Sequence, residues 1–180
     1  MDVYLDQSFR TYAGVRELIE WCLSKDILFM INTTGSQGYF QRMFSRDLLP
    51  QIPVLSANPM IRYPQGESDP PLIYDLLEIE DKASHTEAVM RAFGVPPEKV
   101  VLIGDCGGDG PHFEWGAGAA AYLIGSMTKW SLKRYCERKS IKISFHFGLS
   151  YSEGEARDPE KEMQVNFIEL IPVIEAVLDL

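Results

Sequence analysis

Apolar residues along this chain fall into short continuous runs that alternate with stripes at helical spacing. The continuous runs predict buried strands over residues 27–31, 52–57, 100–103 and 119–124. An alternating run predicts a half-buried strand over residues 141–147. The stripes, with apolar residues three and four positions apart, predict helices over residues 13–24, 39–48, 83–93, 128–139 and 167–178. Strands that alternate with helices indicate a layered α/β fold with a mainly parallel sheet.

The segments between these elements predict turns and loops. The sequence NTTGSQG at residues 32–38 has the composition of a turn, and residues 58–72, rich in proline and glycine, predict a long surface loop. The polar and acidic residues 150–163 predict a mobile loop, and Pro172 predicts a break or a fresh start in the last helix. No repeat or linker divides the chain, so its 180 residues predict one α/β domain over residues 1–180.

Charge and composition narrow the classes of partner and compartment. The formal net charge of -9 disfavours nucleic acid as the main partner, although a bound cation can reverse the field locally and admit a phosphorylated metabolite. No apolar run approaches the roughly 20 residues that span a bilayer, and the N-terminus lacks the pattern of a signal peptide. Three scattered cysteines favour a reducing compartment, so we expect a cytoplasmic protein with no membrane partner. Nothing in the pattern predicts an oligomeric state.

The stretch KVVLIGDCGGDG at residues 99–110 carries the strongest chemical signal. It places Asp105 and Asp109 in a glycine loop directly after a predicted buried strand, where ligands bind in open α/β sheets. Carboxylates at this spacing suit a hard cation such as Mg²⁺, which usually accompanies phosphate chemistry. The alternative is structural, because Asp109, Gly110 and Pro111 also have the composition of a turn that starts a helix.

Two further positions lie at the ends of predicted elements. Thr33 follows a strand and opens a turn, where a hydroxyl and backbone amides can hold phosphate oxygens. The structural alternative is that Thr33, Thr34 or Ser36 is only a helix N-cap. Lys82 opens a helix, where its charge is unfavourable to the dipole, so it suits either a ligand or a surface ion pair with Glu80 or Asp81. The basic cluster at residues 129–142 predicts a solvated helix face. His85 and His112 lie near these loops, where we expect solvated side chains, and His146 lies within a predicted strand, where we expect a structural side chain.

Taken together, the order and spacing of these features resemble the haloacid dehalogenase superfamily of phosphatases. The segment FMINTTG matches the strand that ends in a hydroxyl residue, and DKASHTEAVMRAFGVPPEKVVLIGD matches the helix opened by lysine and the strand that follows it. Asp105 and Asp109 match the GDxxxD loop of that family. The likeness covers roughly residues 13–125, and VLSANPM is most similar to the phosphoserine-phosphatase-like branch.

This resemblance implies both a fold and an activity. The fold is a three-layer α/β sandwich with a mainly parallel, Rossmann-like sheet and no large cap domain. The activity is magnesium-dependent hydrolysis of a small phosphorylated metabolite. Thr33 would hold a phosphoryl oxygen with help from Thr34 and Gly35, and Lys82 would offset its charge. Asp105 would ligate Mg²⁺, and Asp109 would ligate it or orient its waters.

The chain departs from the family at its first motif. The family carries its nucleophile in a DxDGT motif after the first strand, and this sequence contains no such motif. The nearest candidate nucleophile is Asp6, followed by Ser8 where the family has a second aspartate. Either the chain begins downstream of the first strand, or MDVYL is a degenerate version of it. In both cases we expect weak or absent catalysis, so the alternative function is a haloacid-dehalogenase-like domain that binds a phosphate-bearing ligand or a partner protein.

Overall fold

A computed structural model of the chain describes Leu5 and residues 9–180. Asp6, the candidate nucleophile, lies outside the described residues. Within them, no helix is long and apolar enough to cross a bilayer.

The strands form two parallel three-stranded sheets. The first sheet has the order β1 (Met30–Ser36), β2 (Val54–Asn58) and β3 (Leu72–Asp75). The second sheet has the order β4 (Val101–Gly104), β5 (Tyr122–Thr128) and β6 (Phe145–Ser150). The central strands β2 and β5 are buried almost throughout, whereas β1 and β4 are only partly buried.

Helices connect successive strands except β2 and β3, which a loop joins, and this arrangement confirms the α/β class predicted from the alternation of patterns. They are α1 (Val15–Ser24), α2 (Gln37–Ser45), α3 (Asp81–Phe93), α4 (Gly110–Gly118), α5 (Trp130–Arg138), α6 (Pro159–Glu162) and α7 (Ile171–Leu178). Short 3₁₀ turns cover Pro97–Lys99, Gly107–Asp109 and Phe167–Leu170. The break predicted at Pro172 is confirmed, because the 3₁₀ turn ends at Leu170 and α7 starts with that proline in its first turn.

Helix α1 joins the two sheets on one face. Its Ile19 belongs to the same buried cluster as Leu55 of β2, and its Leu18 belongs to the cluster around Ile124 of β5. This division follows from the helical stripe, since neighbouring positions on α1 point toward different sheets. The opposite face of the second sheet carries α4 and α5, whose Phe113 and Leu132 pack in one cluster with Leu102 and Leu123.

Helix α3 covers the other face of the first sheet. Asn32, Ser56 and Tyr74 are register partners across the three strands, so their side chains share a face. His85 of α3 contacts two of them, with 2.9 Å between Ser56 Oγ and its Nδ1 and with its ring stacked on Tyr74. The prediction of a solvated His85 is therefore wrong.

Several predicted boundaries are also wrong. Residues predicted as the turn 32–38 continue β1 to Ser36, and α2 begins directly at Gln37. The pairing of β1 with β2 shifts register between Asn32 and Ser36, so these residues of turn-like composition form an irregular end of the strand. The predicted mobile loop 150–163 contains α6, which is anchored by the fully buried Glu162. No pattern predicts β3, which has only four residues. The helix start expected at Asp109, Gly110 and Pro111 is confirmed, but the extent of α4 was not predicted because the helix contains several glycines.

Candidate functional site

The loop between β4 and α4 is held closed by Asp109. The strand ends at Gly104, where a Cβ atom would lie 2.8 Å from Asp109 Cβ and from Phe113 Cε1, so the missing side chain makes room for the carboxylate. Asp109 Oδ2 accepts hydrogen bonds from the backbone N–H groups of Asp105 at 2.9 Å and Cys106 at 3.2 Å. The glycine and the second aspartate of the GDCGGD sequence therefore act together to shape this loop.

The second carboxylate oxygen of Asp109 pairs with a lysine from another helix. Lys82 Nζ, in the first turn of α3, lies 2.6 Å from Asp109 Oδ1, and the two side chains are 7% and 13% exposed. Burial by itself would raise the pKa of Asp109, but the Lys82 ammonium and the two backbone donors outweigh it and hold this pKa below its usual value. The proposed surface pair of Lys82 with Glu80 or Asp81 is wrong, because its partner is 27 residues away.

A hydrogen-bonded chain holds the backbone of Lys82 in place. Asn32 Nδ2 and Thr86 Oγ1 both donate to the Lys82 carbonyl at 2.9 Å. His112 Nε2 lies 3.0 Å from Thr86 Oγ1, and because the single hydroxyl hydrogen is committed to Lys82, the histidine donates. Burial, followed by the charge of Lys82, lowers the pKa of His112 to about 4, so its ring is neutral at pH 7.

The sequence did not identify the three residues that hydrogen-bond around Lys82, namely Asn32, Thr86 and His112. His112 was expected to be solvated, but it is buried, with 8% exposure. The burial of His112 depends on contacts with residues far away in the sequence, so no local sequence pattern predicts it. The spacing of Lys82 and Thr86 did carry a signal, because residues four apart share one face of a helix. Asn32 lies directly before the candidate Thr33, on the face of β1 that meets α3.

Asp105 pairs with a second lysine. Lys129 Nζ lies 2.6 Å from Asp105 Oδ2, and the Lys129 backbone N–H donates to the Asp105 carbonyl at 2.8 Å. The predicted solvated face is therefore wrong for Lys129, which is half-buried. With Lys82 and Asp109, these groups carry two positive and two negative charges. The site is formally neutral, so it would take up a divalent cation and a doubly charged anion together more readily than either alone.

Of the side chains in the β4–α4 loop, Asp105 is the one best suited to bind a hard cation. One ligand atom each from Asp105, Cys106 and Asp109 lie within 4.8 Å of one another. Burial and then the two carboxylates raise the pKa of the Cys106 thiol, which keeps it protonated and a poor ligand for Mg²⁺. Both oxygens of Asp109 are engaged by Lys82 and backbone amides. Asp105, 42% exposed, is therefore the direct ligand that this loop offers, and Asp109 sets its position.

Thr33 lies next to this network on β1. Its Oγ1 accepts a hydrogen bond from Gly35 N at 3.1 Å, and Thr34 is exposed. The residue at the N-cap of α2 is Ser36, whose side chain makes no capping hydrogen bond. The structure brings Lys82, Asp105 and Asp109 together, whereas the hydrogen bond of Thr33 is local.

Comparison with known proteins assigns no family: no family model, curated protein or solved structure matches this chain.

Proposed function

We propose that the end of β1, the first turn of α3 and the β4–α4 loop form the phosphate and Mg²⁺ site of a haloacid-dehalogenase-like phosphatase. Its substrate is a small phosphorylated metabolite, and its fold is a three-layer α/β sandwich with both parallel sheets in the central layer. The observation that carries the proposal is the buried Lys82–Asp109 pair beside the exposed carboxylate of Asp105. A buried ammonium paired with Asp109, in a loop whose Asp105 carboxylate is exposed, is an arrangement that a structural turn does not need.

Each residue has a distinct part in binding the phosphoryl group. Lys82 offsets negative charge, and Asn32 and Thr86 fix its backbone so that little reorganisation is needed. The Thr33 hydroxyl, with the backbone of Thr34 and Gly35, holds a phosphoryl oxygen. Asp105 would hold Mg²⁺, which when bound polarises the phosphoryl group, and Asp109 keeps the loop in position. Lys129 exchanges its contact with Asp105 for one with the bound anion.

A second candidate is binding of a phosphate-bearing ligand without turnover. The sequence favours it because it contains no DxDGT motif to supply a nucleophile. Residual catalysis can survive when charge stabilisation and positioning remain, but loss of the nucleophile removes the covalent route. Asp6 remains the candidate that would distinguish the two.

Thermal unfolding with Mg²⁺ and inorganic phosphate tests the site. We expect the two together to raise the melting temperature more than the sum of their separate effects, because a formally neutral site binds them as a pair. Asp105→Asn should abolish this rise. Asp179→Asn, which changes an exposed aspartate paired with Lys99 elsewhere, should leave it intact. An equal response in the Asp105 variant would contradict the metal site.

Hydrolysis of p-nitrophenyl phosphate then separates the two candidates. We expect this chain to show feeble or no turnover with Mg²⁺. If turnover is present, Asp6→Ala should eliminate it, since that residue is the proposed nucleophile. Robust turnover that survives Asp6→Ala would show that the chemistry rests on other residues and would refute both versions.

A further inference from the structure

The facing edges of the two sheets border one cavity. Among the described residues, β1 pairs with β2 alone and β4 pairs with β5 alone, so each leaves one edge without a strand partner. Residues 30–32 of β1 and residues 101–103 of β4 line the same cavity of about 380 Å³. We call this cavity the inter-sheet slot.

Helices close the slot above and below. Leu18 and Cys22 of α1 line it from one face, and Thr86 and Val89 of α3 line it from the other. Its walls are largely apolar, yet Ile103 of β4 is 41% exposed. The sequence around Ile103 has the continuous apolar pattern of a strand buried on all sides. Because β4 has the sequence pattern of an interior strand but, within the described part of the chain, one edge without a strand partner, the slot is suited to another strand.

The polar groups of the slot select the kind of occupant. Each facing strand edge presents backbone N–H and C=O groups that need partners. In addition, Asn32 Oδ1 is buried without a hydrogen-bond partner, and Asn32 lines the slot. An apolar small molecule would fill the volume and leave these groups unpaired, which is costly. An extended peptide offers alternating donors and acceptors to both sides at the spacing of a strand.

We propose that the inter-sheet slot binds an extended peptide strand with apolar side chains, which pairs with β1 and β4 at once and joins the two sheets. Three residues on each edge give a contact length of about 10 Å at the rise of a strand. The segment that fills it is therefore about three to five residues long. This is strand addition on two edges instead of one. The proposal does not depend on the phosphatase chemistry.

A peptide that copies residues 99–105, KVVLIGD, is a suitable probe because it is apolar, β-branched and charged at its ends. We expect saturable binding by fluorescence anisotropy. Two control peptides carry N-methyl groups on the even or on the odd amides, so that each loses the donors along one side. Two-sided pairing predicts that both controls bind at least tenfold more weakly. A loss in only one control, equal binding of all three peptides, or no binding of the unmodified peptide would overturn the proposal.

Hydrogen exchange locates the bound peptide. Amides of residues 30–32 and 101–103 that face the slot should exchange at least tenfold more slowly with the peptide present. Protection at β3 or β6, with these residues unchanged, would refute the assignment. Ile103→Lys should weaken binding at least tenfold, because it places a charge in the slot. Ile168→Lys is the matched control, since Ile168 is 40% exposed and does not line the slot.

Discussion

Replacement of Lys82 by methionine tests the buried pair that organises the candidate site. Lys82→Met keeps most of the apolar stem but removes the ammonium that lies 2.6 Å from Asp109 Oδ1. Because Asp109 is 13% exposed, its carboxylate is then left with little solvent and with two backbone donors. Removal of one partner of a buried pair typically costs about 3–5 kcal/mol, and the remaining donors favour the lower end, about 3 kcal/mol. For a domain of this size that is a fall in melting temperature of roughly 6–12 °C.

Chemical unfolding monitored by circular dichroism measures this loss. Lys139→Met is the matched control, because Lys139 pairs with Glu114 at 3.0 Å with both side chains about half exposed. Such an exposed pair contributes about 0–1 kcal/mol. The double variant Lys82→Met/Asp109→Asn should be less destabilised than Lys82→Met, since it removes the uncompensated charge but keeps an acceptor for the loop amides. If Lys82→Met costs no more than Lys139→Met, the buried pair does not stabilise the fold as argued.

The pH dependence gives a second check on the same pair. The pKa of Asp109 is lowered in the folded protein from its ordinary value of 3.8, so its contribution is present above that value and is lost as pH falls below it. Lys82→Met removes this contribution, because the carboxylate no longer has its counter-ion. The difference in stability between the two proteins should therefore narrow below about pH 4. A difference that stays constant from neutral pH to this range would refute the assigned cause.

Two other buried groups give further tests. The pKa of His112 falls from 6.5 in the unfolded chain to about 4 in the folded protein. As pH is lowered, the unfolded chain therefore takes up a proton first, and we expect about 3 kcal/mol of stability to be lost between pH 6.5 and pH 4. His112→Gln should remove that loss, and a measured NMR pKa near 6.5 would contradict it. Arg157→Ala should lower the free energy of unfolding in urea by about 2 kcal/mol, because it leaves the carboxylate of Glu162, 2% exposed, without its counter-ion. The Tyr12 and Tyr151 hydroxyls still donate to this carboxylate, which limits the loss. Arg91→Ala, in an exposed pair with Glu87, should change stability little, and equal costs would refute the role of Glu162.

Elements with a strong local pattern could be predicted from the sequence. The stripe of α1, the continuous run of β4 and the glycine stop after α3 each depend on neighbouring residues, and each gave an element close to the observed one. The strand β3 was not predicted, because its four residues, LIYD, are too few to show a periodic pattern. The end of β1 was not predicted, because residues 32–36 have the composition of a turn but adopt a strand conformation.

The candidate site, like the fold, could be predicted only where the signal is local in the sequence. The loop with Asp105 and Asp109 was evident, since glycines and carboxylates after a strand form a local signal. The partners Lys129 and His112 were not, because each reaches the site through packing between elements. Their spacing in the chain carries no periodic pattern that a sequence window could detect. For the same reason the open edge of β4 could not be predicted, since a continuous apolar run is equally suited to an interior strand.

The inter-sheet slot and the candidate site share structural supports. Asn32 and Asp109 both line the slot, and both bind Lys82, one at its carbonyl and the other at its ammonium. A strand that donates to Asn32 Oδ1 fixes the orientation of that amide with its Nδ2 toward Lys82. Occupation of the slot therefore stabilises the same arrangement of Lys82 that the phosphate site requires. Since coupling between two binding sites is reciprocal, a ligand at Lys82 and Asp105 must in turn favour the strand.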